Sequence, residues 1–146
     1  MEMKNYFIIL FVLLPITVFT QSERYTKGAE NGYTWIRMED PSQHYSTSKE
    51  TYLSGILDRY RLTQEKHPEI TSLSCREDME KLTIEGKSET ISLEDVVEEI
   101  DVFYSRSDNM IIPIIFAYCY TIKKLAGMSM KELNSYKEEV LLFCEE

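Results

Sequence analysis

Met110 to Gly127, MIIPIIFAYCYTIKKLAG, constrains the fold most, because no charge interrupts it from Met110 to Tyr120. At about 1.5 Å of rise per residue the run falls well short of the roughly 20 residues a bilayer span needs, so it predicts a buried core helix. Pro113 is tolerable only near the first turn, where a missing N–H matters least, while Lys123 and Lys124 suit the last turn and Gly127 an αL cap. A helix apolar nearly all round needs neighbours on several sides.

The neighbours are legible as amphipathic stripes behind helix-start signals. Thr47 and Glu50 have capping-box spacing, and Tyr52, Leu53, Ile56, Leu57 and Tyr60 follow at three- and four-residue steps, predicting a helix to about Lys66, before Pro68. Ser74 and Glu77 repeat the spacing ahead of Cys75, Met79 and Leu82, although Lys81 to Ile91 also fits a small hairpin turning at Glu85-Gly86-Lys87. Ser92 and Asp95 open a helix lined by Leu93, Val96, Val97, Ile100, Phe103 and Tyr104. Its other side, Glu94, Asp95, Glu98, Glu99 and Asp101, reads as a solvated face, since a calcium loop needs a turn with Gly at fixed spacing. Ser105 to Asn109 is a short polar loop. Ser129 and Glu132 cap a last stripe of Met130, Leu133, Tyr136, Val140 and Leu141, joined to the central helix by a turn short enough to force antiparallel packing. The expected fold is an all-α bundle of four main helices, near 48–66, 93–105, 113–126 and 130–142, with a short helix around 75–84.

Ahead of this helical domain, 47–146, the chain divides in two. Residues 1–20 carry Lys4, then the apolar block Tyr6 to Phe19 broken by Pro15, then a polar exit, the layout of a signal peptide. That predicts an exported protein, periplasmic or extracellular, with no membrane span after signal removal. Residues 21–46 are polar and turn-rich without sustained periodicity, and predict an irregular arm pinned to the body by Trp35. With residues 1–20 removed, about 126 residues remain and the formal charge stays at −9, because Glu2 and Lys4 leave together. That is one domain's length, and its acidity argues against nucleic acid or an anionic membrane as partner.

Three cysteines, Cys75, Cys119 and Cys144, suit one disulfide and one thiol in an oxidising compartment. In an antiparallel pair turning near Met128, the residue level with Cys119 is about 137, which leaves Cys144 roughly 10 Å further along. A disulfide tolerates Cα separations only to about 7 Å, so Cys75 must be one partner. Cys144 is expected as the other, because a chain end can move to meet it, with Cys119 left as a buried thiol. No C-x-x-C is present, and His44 and His67 stand far apart, so neither a structural zinc site nor another metal or cofactor is predicted.

No nucleophile elbow, metalloprotease helix, P-loop or dinucleotide fingerprint occurs, and neither histidine sits beside a candidate nucleophile. An enzyme is disfavoured. Gly55 and Asp58 project away from the apolar stripe of their helix, where a glycine is normally avoided; either the arm crosses closely over Gly55 or the glycine is simply exposed. Trp35, Gly55 and Asp58 are therefore the candidate binding or packing surface. Asn31-Gly32 and Trp35, then Tyr52-Leu53-x-Gly55-Ile56-x-Asp58, Asp101-x-Phe103-Tyr104, Asn109, Ile112-Pro113-Ile114 and Ala117 form a pattern that resembles a family of small exported bacterial helical proteins of uncharacterised role. More distantly, in size, export and helical order, the chain is similar to the periplasmic Tai-type immunity proteins, which bind and block cell-wall amidase toxins. The resemblance implies a non-catalytic binding protein of the cell envelope with a protein partner, inhibitory in the immunity-like case, and carries no functional residue over. The alternatives are a small envelope enzyme using carboxylates and a purely structural envelope protein.

Overall fold

The central apolar run is the fifth of six α-helices among the residues that the computed structural model describes, 21–39, 47–64 and 74–145. In chain order these are α1 (Gly32–Arg37), α2 (Lys49–Gln64), α3 (Arg76–Ile84), α4 (Leu93–Tyr104), α5 (Ile114–Leu125) and α6 (Met130–Glu145). The fold is all-α apart from one antiparallel pair of two-residue strands, β1 (Tyr25–Thr26) and β2 (Ala29–Glu30). The expected export signal, residues 40–46 of the arm and the end of the first main helix beyond Gln64 lie outside the described residues.

Pro113 stands immediately before α5, where its carbonyl accepts from the N–H groups of Phe116 and Ala117 at 2.9 and 3.2 Å and its missing donor is not needed. At the other end Gly127 takes φ of +87°, and the Met128 and Gly127 N–H groups close onto Lys123 and Lys124 carbonyls, each at 3.0 Å, as a Schellman cap. Between these ends Ile114, Ala117 and Cys119 are wholly buried, and α5 packs against α2, α3, α4 and α6. A fully buried isoleucine such as Ile114 contributes about 2 kcal/mol.

The helix starts follow the capping logic unevenly. Ser92 with Asp95 forms a complete capping box on α4, and Ser129 with Glu132 does so on α6. On α2 the expected Thr47–Glu50 box is displaced by one residue: Ser48 Oγ accepts from Thr51 N–H at 3.4 Å, and Tyr52 N–H bonds the Ser48 carbonyl at 3.0 Å. The Ser74–Glu77 box is absent, since Cys75 occupies the N-cap of α3 without a side-chain cap bond. The helix alternative for this stretch holds nonetheless, and a 3-10 turn at Lys87–Glu89 follows it in place of a hairpin.

Two expectations are overturned. Cys75 is bonded to Cys119, with Cα atoms 5.0 Å apart, and Cys144 is the free thiol. The predicted Cys75–Cys144 pair fails because α3 packs on α5, where a salt bridge from Lys123 to Asp78 at 2.7 Å and a hydrogen bond from Lys81 to the Ala126 carbonyl at 3.0 Å fix the two helices together. A rigid helix therefore presents Cys119 to Cys75, and no movement of the chain end is required.

The arm, expected to be irregular, is ordered over its described residues. Lys27 (φ +51°) and Gly28 (φ +78°) both have positive φ, as a type I′ turn between β1 and β2 demands. Asn31 then caps α1, its Oδ1 accepting from Tyr33 N–H at 3.1 Å. These elements are too short for any periodic signal, and distant partners hold them. Gly32 N–H bonds the Met110 carbonyl at 3.0 Å, Thr26 Oγ1 donates to the Ile111 carbonyl at 2.6 Å, and Asn31 forms a β-bridge with Pro113.

Candidate functional site

Most residues of the resemblance pattern converge where the arm meets the body, and there they make interior bonds. Asn31, 1% exposed, donates through Nδ2 to the Glu23 carbonyl and to Thr26 Oγ1, both at 3.0 Å. Tyr104, buried, donates its hydroxyl to the Ile112 carbonyl at 2.8 Å, and Asn109 Nδ2 donates to the Phe103 carbonyl at 2.7 Å. Gly32 lies against Tyr104 so closely that a Cβ on it would stand 2.5 Å from the ring. Paired in this way, these groups hold the fold together.

Trp35 is fully buried, and its indole N–H donates to Asp101 Oδ1 at 2.6 Å. Lys49 donates to the same oxygen at 2.5 Å, pairs with Glu39, and sits 5.1 Å from the centre of the Trp35 ring, in cation–π range. Asp101, expected on a solvated face, is thus the acceptor that locks the arm to α4. The structure does not bring Trp35, Gly55 and Asp58 into one surface. Gly55 and Asp58 are exposed on α2, and among the described residues, apart from the backbone of that helix, nothing lies within 4 Å of where a Gly55 Cβ would be.

A groove of about 390 Å³ lies instead between the hairpin, α2 and the start of α5. Ile56, Pro113, Ile115, Phe116 and Phe143 line it on the body side, and the hairpin from Tyr25 to Glu30 forms the opposite wall. The Phe116 and Phe143 rings meet edge to face at 5.6 Å. Arg59 pairs with Glu30 at 3.0 Å on the rim, whereas Lys27 has no carboxylate in ion-pair range among the described residues. Sequence reasoning missed this groove. Its one local signal was Lys27-Gly28 between two short segments, a two-residue turn with glycine second.

Titratable groups near the groove are shifted toward their neutral forms. Burial, and then the Glu30 carboxylate, hold the Tyr52 proton well above the usual phenol range. Burial pushes the Cys144 thiol up to about 11, against the opposing pull of Lys27, so at neutral pH it is not a thiolate nucleophile. Among the described residues no group of three His, Cys, Asp or Glu side chains is placed to hold a metal ion, and no helix is long and apolar enough to cross a membrane. Set against protein-family models, curated proteins and solved structures, the chain matches none of them.

Proposed function

We propose that this chain is a non-catalytic binding protein, exported to the cell envelope, with a preformed recess in the groove beneath the N-terminal hairpin. The observation that carries this is the groove itself, an apolar recess walled by an ordered hairpin. Preformed apolar concavities with a few charged groups at the rim are the usual form of a binding site. The disulfide is in keeping with an oxidising location. The resemblance to Tai-type immunity proteins suggests an envelope protein as partner and inhibition as the outcome. Affinity capture from an envelope extract, with the oxidised full-length chain as bait, tests it. A protein recovered in stoichiometric amount is the expected result; no partner, together with turnover of a cell-wall substrate, would replace it with the small carboxylate enzyme.

A further inference from the structure

We infer that the groove takes an amphiphile with an apolar body and a single carboxylate head, the head resting on Lys27; this rests on the chain being a binding protein, but not on its partner being a protein. Three observations point the same way. The body side, Ile56, Pro113, Ile115, Phe116 and Phe143, offers apolar and aromatic side chains, and Pro113 has no N–H to give. A peptide backbone laid on that side would bury amides against side chains that cannot pair with them, and each group left unsatisfied weakens binding. Strand addition is no remedy, because β1 and β2 are two residues each and offer almost no ladder. A hydrocarbon or aromatic body carries no such penalty, and about 390 Å³ lies within the range of small-ligand pockets.

The charge follows from Lys27. In a chain of net charge −9, the described residues lining the groove include Lys27 and Arg59 beside one carboxylate, Glu30, which Arg59 engages at 3.0 Å. Lys27 also occupies a backbone conformation, φ +51°, in which Asn, Asp or Gly would be at less strain. A lysine at this turn costs stability, and what it adds there is a cation at the mouth of an apolar recess.

The test is a ¹H–¹⁵N NMR titration of the oxidised full-length chain with dodecanoate below its micellar concentration, and in parallel with dodecyltrimethylammonium. Saturable binding of dodecanoate that shifts the Gly28, Ala29 and Ile115 amides is expected, with the cationic amphiphile about tenfold weaker, as a charge-assisted contact implies. Lys27→Asn should raise the denaturation midpoint while weakening dodecanoate about tenfold, a combination that a merely structural lysine would not produce. Equal affinity for both amphiphiles, shifts confined to other surfaces, or undiminished binding by Lys27→Asn would overturn the assignment. In that event a protein recovered by affinity capture would still stand, so the two conclusions fail separately.

Discussion

Gly32 has no side chain to spare room for, because the Tyr104 ring stands where one would go. A Cβ there would lie 2.5 and 2.6 Å from two ring atoms and 3.0 Å from the Met110 Cα, and the backbone cannot yield as a flexible side chain can. Gly32→Ala is therefore expected to destabilise the protein by about 1–3 kcal/mol in urea denaturation followed by the single tryptophan, Trp35. Gly55→Ala should do the opposite, raising stability by about 0.5–1 kcal/mol, since among the described residues nothing beyond the helix's own backbone lies within 4 Å of the new methyl in an exposed helix interior. If both substitutions proved neutral, the close approach of α1 to Tyr104 would be wrong. The sequence drew attention to Gly55 because a glycine in the interior of a helix, off its apolar stripe, is locally visible. Gly32 is unremarkable by local pattern, since the atom it must avoid lies far along the chain.

Helices were the most legible level, and their starts show where legibility ends. A three-residue spacing of Ser with an acid says that a box can be reached, but the first helical residue decides whether it forms. Ser92–Asp95 and Ser129–Glu132 form, while on α3 the start is set by Cys75, which is tied to α5. The two boxes have a pH signature. The Ser92 hydroxyl and N–H hold the Asp95 carboxyl below its usual range, and those of Ser129 do the same for Glu132. Both carboxyls bind protons less readily in the folded chain than in the unfolded one. Their share of stability is thus present above the unfolded carboxyl range, near about pH 4, and is lost as pH falls through the lower folded values. The urea midpoint should drop between about pH 5 and pH 3, and Ser92→Ala with Ser129→Ala should shrink that drop. An undiminished acid drop in the double variant would show that the caps carry none of it. The hairpin and α1 gave no periodic signal, because two- and six-residue elements are too short to display a period.

At the scale of the molecule, one covalent bond, the polar contacts of Lys123 with Asp78 and of Lys81 with the Ala126 carbonyl, and the burial of Leu82 hold α3 to the bundle. Closing a loop with a sequence separation of 44 residues removes unfolded-state freedom, so reduction of Cys75–Cys119 should lower stability by about 2–4 kcal/mol. Amide exchange should then speed first in α3, at Leu82 and Ile84, while α5 stays protected; uniform loss of protection would show that the bond guards the whole bundle instead. Which cysteines pair was the tertiary fact that periodicity could not supply, because it gives faces of helices and not their neighbours. The contacts of the arm also impose an order on how the chain can form. Chains emerge from the ribosome amino terminus first, yet Trp35 takes its acceptor 66 positions later and Thr26 takes its own 85 positions later. The arm, made well before its acceptors, is consequently among the last segments to find its place, and it must wait as unpaired chain until the start of α5 is present. A fragment ending before Asp101 should show the solvent-exposed fluorescence of a tryptophan still waiting, and the full-length chain should show it quenched or blue-shifted by burial.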